Sequence, residues 1–274
     1  MFEIGKPLLT GNDWFIPKPA LEKSLEWQYG ALFFFGVLAL LTFFWAFRLW
    51  RKTGSTSALW IILGSAIATY YEPLGDLLAH VTYHEVNTIP FYSAFGFTIP
   101  LWVLPCYVVF FGAPILGLLH VLEKGVSVSK WVTFYFLSIP GAWVFEVPLL
   151  AMRAIEYYGA NQPIHILDYP PWMAFSNSCA MFLTTTGVYY LRKTLLLREH
   201  PWLFALIVPL FVVGASAGTI LPVGTALSSS DSTTHVNIMA LVSMAVSVLF
   251  VWVSGKIVEA TAKSTPMAHG AAVA

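Results

Sequence analysis

The stretch YGALFFFGVLALLTFFWAFRLW, residues 29–50, decides the fold class, because it carries no charged residue before Arg48. A bilayer core about 30 Å thick needs roughly 20 mostly apolar residues in a helix, since unpaired backbone groups cannot face lipid. The whole chain has the same character: 58% of its 274 residues are hydrophobic, 10% are charged and the mean hydropathy is +0.73. The sequence therefore predicts an integral membrane protein.

The charge of the chain argues against a nucleic-acid-binding protein, and its two cysteines leave the cellular compartment undecided. The net formal charge is zero and there is no basic tract, so the electrostatic footprint of a nucleic-acid-binding protein is missing. Cys106 and Cys179 lie inside apolar segments, without the spacing of a zinc or redox motif. Residues 1–28 lack the cationic start and short apolar core of a cleaved signal peptide. We expect no nucleic-acid partner, no cofactor and, in the favoured hypothesis, no metal; membrane lipids and a hydrophobic substrate are the expected partners.

Six more stretches resemble the first one, so the sequence predicts an all-α membrane protein with seven transmembrane helices. The predicted helices cover residues 29–50, 58–81, 98–122, 131–153, 171–191, 202–227 and 235–259. The predicted organisation is a polar N-terminal extracytoplasmic segment at 1–28, a transmembrane domain at 29–260 and a short flexible C-terminal tail at 261–274. One membrane bundle therefore makes up almost the whole protein.

Lysines and arginines concentrate on one side of the predicted bundle. That side holds Arg48, Arg51, Lys52, Lys124, Lys130, Arg192, Lys193, Arg198, Lys256 and Lys263, and the opposite side holds Lys6, Lys18, Lys23 and Arg153. Cytoplasmic loops of membrane proteins carry the excess of such residues. We therefore expect the N-terminus outside and the C-terminus in the cytoplasm, with the protein in a plasma membrane.

The second predicted helix ends in TYYEPLGDLLAHVTYHE, residues 69–85, which places four ionisable groups at four-residue spacing. In a helix, Glu72, Asp76, His80 and His84 would drift by about 40° per step and form one stripe. An ionisable group at mid-bilayer costs at least about 2.5–3.5 kcal/mol on insertion scales. The stripe is therefore expected to face the interior of the bundle.

Pro73 adds an irregularity at the deepest part of this stripe. Its ring cannot donate to the Thr69 carbonyl, so that carbonyl is freed close to Glu72. Glu72 and Asp76 lie one turn apart and repel each other when both are ionised, and burial adds to this penalty. We therefore expect one of the two carboxyls to keep its proton at neutral pH and to act as an acid inside an apolar cavity.

Residues from other predicted helices can reach the same cavity. Glu146 precedes Pro148 in the fourth helix, at a depth from which it can share a cavity with Glu72. Purely structural roles remain open, since buried carboxyls also pair with arginines and small polar residues join helices. The candidate catalytic residues are Glu72, Asp76 and Glu146, and the candidate substrate-binding residues are His80, His84, Arg153, Asn177, His235 and Asp168.

The size, the seven predicted helices and the carboxyls of YYEPLGD, residues 70–76, resemble the membrane-integral terpene cyclases of meroterpenoid pathways. In that family an acidic residue of the second helix is central to substrate protonation, so the resemblance implies this role for Glu72. The family uses a second acid in a late helix, whereas the seventh helix here has none before Glu259. Glu146 would have to supply the second carboxyl from another helix.

An acid held in an apolar, aromatic cavity can protonate a double bond or an epoxide of a lipid-soluble molecule. The favoured hypothesis is an isomerase or cyclase that acts on an isoprenoid-like lipid. A proton-coupled transporter or sensor is the first alternative, since a ladder of carboxyls and histidines can relay protons. A metal-dependent lipid-modifying enzyme is the second, with ligands from the HxxxH pair His80 and His84, Asp76 and Glu85.

Overall fold

The computed structural model of the chain describes residues 25–84, 87–159, 161–230 and 232–264, with side chains up to residue 260. Most of these residues are helical. The α-helices are α1 Leu25–Thr53, α2 Ser57–Ile67, α3 Glu72–Ala79, α4 Val103–Tyr107, α5 Ala113–Glu123, α6 Val128–Ala151, α7 Pro171–Leu191, α8 Leu195–Glu199, α9 Phe204–Ser229 and α10 Thr233–Ser264. The strands are β1 Val81–Tyr83, β2 Pro90–Ala94, β3 Phe97–Pro100 and β4 Ile155–Tyr157.

Among the described residues, five helical segments are long and apolar enough to cross a membrane. They are Leu25–Thr53, Val103–Glu123, Val128–Ala151, Pro201–Ser229 and Thr233–Ala260. The protein is therefore a predominantly helical membrane protein, as predicted from the hydropathy. The helices α1 and α10 extend about one turn beyond the predicted limits of the transmembrane domain, to Leu25 and Ser264.

The second predicted helix, residues 58–81, is not continuous. A 3-10 turn at Ala68–Tyr71 separates α2 from α3, and α3 starts with Pro73 in its first turn. Proline suits this position because its fixed φ and missing N–H fit a helix start. The helix ends at Ala79, because His80 adopts a left-handed conformation at φ 53°. Val81–Tyr83 then forms β1, as expected for β-branched and aromatic residues.

The third predicted helix, residues 98–122, begins later than expected. Residues 98–100 belong to β3, which pairs with β2 in an antiparallel hairpin. The helical part starts at Val103 and contains a π-helical turn at Val108–Gly112 between α4 and α5. The remaining predicted helices agree with α1, α6, α7, α9 and α10 to within about one turn.

Helix α7 lies at the centre of the bundle and packs against α5, α6, α9 and α10. It falls outside the set of sufficiently apolar helices, and its polar side chains are turned towards protein. Ser176, for example, is completely buried and its hydroxyl lies 2.6 Å from that of Thr219 in α9. Hydrogen bonds of this kind join helices where lipid offers no polar partner.

The contact between α3 and α9 is unusually close. A Cβ atom added to Gly224 would lie 2.5 Å from the Leu78 carbonyl oxygen, which is a backbone atom that cannot turn away. Glycine therefore allows α9 to approach the last turn of α3. This approach fixes the position of α3, the short helix that carries Glu72 and Asp76.

Candidate active site

Three carboxyls meet in the wall of one mostly apolar cavity of about 110 Å³. The cavity is somewhat smaller than the engineered cavity of about 150 Å³ that holds a benzene molecule in another protein. Glu72 and Asp76 come from α3, and Glu146 comes from α6. The apolar wall includes Trp102, Val103, Phe110, Phe111, Phe145, Leu149 and Ile220. All three candidate catalytic residues are therefore brought together.

Glu72 is held by two phenols. The Tyr83 hydroxyl, from β1, donates to its Oε1 atom, and the Tyr107 hydroxyl, from α4, donates to its Oε2 atom. Burial, followed by the charge of Glu72, raises the pKa of Tyr83 well above its ordinary value, so this phenol stays a donor. The two hydrogen bonds replace the water that an ionised carboxylate would otherwise need.

Asp76 has a different environment, although it lies only one turn after Glu72. Its side chain lines the same cavity and the residue is 2% exposed. Its Oδ2 atom is buried and accepts no hydrogen bond from any described residue. A buried oxygen of this kind is expensive when it carries charge, and much less so when the carboxyl is neutral.

Glu146 has the most hydrogen-bond donors of the three. The Tyr157 hydroxyl donates to its Oε2 atom at 3.0 Å, and its Oε1 atom accepts from Tyr169 at 3.3 Å and from the Asn177 amide at 2.7 Å. Burial and the nearby Glu146 raise the pKa values of both tyrosines well above the ordinary value. Asn177, a candidate substrate-binding residue, thus donates a hydrogen bond to a carboxyl of the cavity.

A small sheet closes the cavity, and we call it the lid sheet. It consists of β1 and β4, paired antiparallel with Val81 opposite Tyr157 and Tyr83 opposite Ile155. All four of these side chains line the cavity. Because side chains alternate along a strand, Thr82 and Glu156 lie on the other face. The lid sheet thus supplies one phenol to Glu72 and one to Glu146.

The expectation that His80 and His84 continue the acidic stripe is wrong, because α3 ends at Ala79. Neither histidine lines the acid cavity. The His80 ring stacks on Tyr158 with 5.1 Å between centroids, and its backbone oxygen accepts from the Tyr158 N–H at 2.8 Å. His84 is buried, with its Nε2 atom 3.8 Å from a carboxylate oxygen of Glu156. Both histidines therefore contact β4 of the lid sheet or the residue that follows it, and not the acid cavity.

The ligands expected for a metal-dependent enzyme do not come together in one site. The HxxxH pair of His80 and His84 would need a common helix, and the two residues lie on either side of β1. In the part of the chain that the structure describes, no group of three or more His, Cys, Asp or Glu residues could hold a metal ion. Glu85, the fourth expected ligand, lies outside the described residues.

Arg153 and Asp168 line a separate cavity of about 340 Å³, not the one with the acids. The two cavities share Ile155 and Tyr157 of the lid sheet. His235 lies exposed at the start of α10 and lines neither cavity; its backbone N–H bonds to the Ser232 hydroxyl at 3.4 Å. Of the expected substrate-binding residues, only Asn177 reaches the acid cavity.

Sequence reasoning missed the four tyrosines that donate to Glu72 and Glu146, namely Tyr83, Tyr107, Tyr157 and Tyr169. A signal was present for two of them. VTY and IEY, residues 81–83 and 155–157, each place a tyrosine two positions after a β-branched residue, so both side chains share one strand face.

A comparison of the chain with protein-family models, curated proteins and solved structures finds no significant match.

Proposed function

We propose that this protein is a membrane-embedded isomerase or cyclase, with Asp76 as the acid that protonates an isoprenoid-like lipid. One observation carries the proposal: Glu72 and Glu146 have donors on both oxygens, whereas the buried Oδ2 atom of Asp76 has none among the described residues. Of three carboxyls in one cavity, Asp76 is therefore the one that is most stable with a proton.

The sequence left open which of Glu72 and Asp76 keeps a proton, and the family resemblance implied Glu72. This proposal assigns the acid to Asp76, one helical turn further along α3. Glu72 takes a supporting role instead. Held as an anion by Tyr83 and Tyr107, it disfavours a second negative charge on Asp76 one turn away. A neutral carboxyl then faces a mostly apolar cavity, where a bound molecule can take its proton.

The proposed reaction begins when the π electrons of a substrate double bond take the Asp76 proton, which forms a C–H bond and leaves a carbocation. The cation lies among the rings of Trp102, Phe110 and Phe145, whose π faces stabilise positive charge. A second double bond can attack it and close a ring. Loss of a proton from a neighbouring carbon to the Glu146 carboxylate then forms a new double bond. The product is an isomer, and one proton must return from Glu146 to Asp76.

The dimensions of the cavity limit what part of a substrate enters it. A volume of about 110 Å³ holds a group of about the size of one isoprene unit or a small ring. The rest of a long lipid would lie outside, next to the lid sheet or between helices. The proposal thus concerns a substrate with one reactive apolar end, which contacts the acid while the remainder stays in the bilayer.

The proposed topology has seven transmembrane segments, with the N-terminus outside and the C-terminus in the cytoplasm of a plasma membrane. The five long apolar helices support it, and the additional segments are residues 57–79 and α7. The acid cavity then lies in the outer half. A membrane-impermeant maleimide on intact cells should label Ser232→Cys and leave Ser55→Cys unlabelled; the reverse pattern would invert the topology.

Proton transfer to carbon provides a test that needs no known substrate. Membranes containing the protein would be incubated in D2O with geranylgeraniol and with its terminal epoxide. Because a carboxyl proton exchanges with solvent, turnover should place one deuterium on carbon, so the isomeric product gains about one mass unit beyond exchangeable positions. Asp76→Asn should abolish this signal. The proposal fails if the wild type deuterates neither probe, and it fails equally if Asp76→Asn deuterates a probe as fast as the wild type does.

A proton-coupled transporter is the second candidate, and one arrangement favours it. Three carboxyls and the phenols of Tyr71, Tyr83, Tyr107 and Tyr157, all with exchangeable protons, line one cavity. The helices α6 and α9 beside it contain Pro140, Pro148 and Pro222. Proline-interrupted helices are common where membrane segments move. Proton flux in liposomes that Asp76→Asn removes, without deuteration of a lipid, would favour transport over catalysis.

A further inference from the structure

A larger cavity, of about 590 Å³, lies at the end of the bundle opposite the acid cavity. It forms where α1 and α5 end, α2 begins, and the chain turns from α7 through α8 into α9. Cavities of this size lie within the range of about 300–1,000 Å³ that is typical of binding sites for small molecules. None of the residues proposed for catalysis lines it.

The inner wall of this cavity is apolar. Five side chains from four helices form it: Leu49, Ile61, Leu116, Leu119 and Phe204. Trp45, from α1, completes the wall on the lipid side. An apolar wall at a helix-bundle surface offers nothing to a small hydrated ion, and it matches a hydrocarbon chain by area burial. The wall therefore indicates an amphiphilic ligand.

The rim of the same cavity is cationic. The Arg192 Nη1 atom lies 2.7 Å from a Glu123 oxygen, and its guanidinium carbon lies 4.9 Å from the centre of the Tyr189 ring. These contacts position Arg192 but use only part of its donor set. Arg198 also lines the rim, and no acid among the described residues forms an ion pair with it. Two arginines against one carboxylate leave an excess of positive charge.

The segment next to the rim has the character of an interfacial element. In α8 and the turn after it, Leu195, Leu196 and Trp202 are 70%, 59% and 48% exposed. Leu197 points the other way and lines the cavity. Exposed leucine and tryptophan beside arginine are typical of the boundary between lipid tails and headgroups. Next to such a segment, the two rim arginines are suitably placed for contact with lipid phosphates.

We propose that this cavity binds one anionic phospholipid of the surrounding membrane, with its phosphodiester between Arg192 and Arg198 and an acyl chain along the apolar wall. Guanidinium groups bind phosphate oxygens in pairs, which gives the headgroup a fixed position. The net positive charge of the rim favours an anionic over a zwitterionic headgroup. The site would tie the ends of four helices to one lipid molecule.

The test uses the purified full-length protein in detergent and measures lipid retention by native mass spectrometry. Phosphatidylglycerol should bind at least fivefold more tightly than phosphatidylcholine with the same acyl chains, since each interfacial arginine is worth about fivefold in affinity for anionic lipid. Arg198→Gln should lose about fivefold, and Arg192→Gln with Arg198→Gln about 25-fold. Lys130→Gln provides the matched control, since it removes a cation outside this cavity from the same end of the bundle.

Three results would overturn the proposal. Equal retention of phosphatidylglycerol and phosphatidylcholine would mean that the rim charge does not select the headgroup. An equal loss in Lys130→Gln and Arg198→Gln would reduce the effect to general surface charge. Competition by glycerol phosphate at the same concentration as the lipid would make the site one for a soluble anion. Thermal melting of each variant without lipid checks that the bundle still folds.

Discussion

The two ends of the bundle stabilise their charged side chains in different ways. At one end, Glu72 and Glu146 line the acid cavity, are half-buried and receive hydrogen bonds from phenols and an amide. At the other end, Arg192 and Glu123 form an ion pair that is partly open to solvent, with side chains 26% and 49% exposed. The depth of a charge thus determines whether the protein must solvate it with its own atoms or can leave that to water.

The largest expected effect is on turnover in Asp76→Asn. General acid catalysis contributes typically about 10²–10⁴-fold, and an amide has no proton to give, so we expect a loss of that size in deuterium incorporation. Because the substitution replaces a neutral carboxyl by a neutral amide, thermal stability should change by less than about 1 kcal/mol. The matched variant at the open end, Glu123→Gln, should keep full turnover. Equal turnover in both variants would remove the distinction between the two ends.

The second largest expected effect is a loss of stability in Tyr107→Phe. This change removes one of the two phenols that donate to Glu72 and leaves a half-buried carboxylate oxygen in the cavity wall without that donor. We expect a loss of about 2–3 kcal/mol in the free energy of unfolding, measured by denaturant titration in mixed micelles. Tyr190→Phe is the control, because the Tyr190 side chain is largely exposed in α7. A similar loss in both variants would point to general packing.

A third prediction concerns the backbone that supports the acid cavity. Gly224→Ala would place a methyl group 2.5 Å from the Leu78 carbonyl oxygen and push α9 away from α3. Overpacking of this kind costs about 1–3 kcal/mol and should also reduce turnover. Gly214→Ala, in the same helix with nothing within 4 Å, should stabilise by up to about 1 kcal/mol. Thermal melting of the two variants under one condition separates clash from helix propensity.

The smallest expected effect is the change in stability at the end of the bundle where Arg192 and Glu123 form their exposed ion pair. Glu123→Gln breaks the ion pair with Arg192, and exposed ion pairs typically contribute about 0–1 kcal/mol. The stability change should therefore stay within that range and shrink further in 0.5 M salt, because screening weakens exposed pairs. A loss as large as that of Tyr107→Phe would show that this end too solvates its charges internally.

The positions of most helices and the meeting of the carboxyls in one cavity could be predicted from the sequence, because both depend on averages over long segments. Hydropathy is summed over some 20 residues, so errors at single positions cancel, and depth counting along two helices was enough to bring Glu72 and Glu146 to one cavity. The end of α3 at Ala79 was not accessible. LLAHVTY, residues 77–83, fits a helix by its spacing and a strand by its β-branched residues, and only pairing with β4 decides between them.

The hydrogen bonds of the acids depend on contacts across the whole chain. Tyr83 and Ile155 stand opposite each other in the lid sheet although they are far apart in sequence. No local sequence pattern predicts such a pairing. The sequence could therefore place the carboxyls in one cavity, but it could not show which of them accept hydrogen bonds. That distinction is the basis for proposing Asp76 as the acid instead of Glu72, which the family resemblance implied.

The polar character of α7 has a consequence for how the protein is made. Helices enter the bilayer one after another as the ribosome releases them, and α7 carries Ser176, Asn177 and Thr184 on surfaces that its neighbours cover in the finished bundle. Such a segment partitions poorly into lipid by itself. In the proposed topology with seven transmembrane segments, its insertion therefore depends on α9 and α10, which are synthesised later, so a ribosome-stalled chain ending before α9 should leave α7 accessible to protease or chaperones.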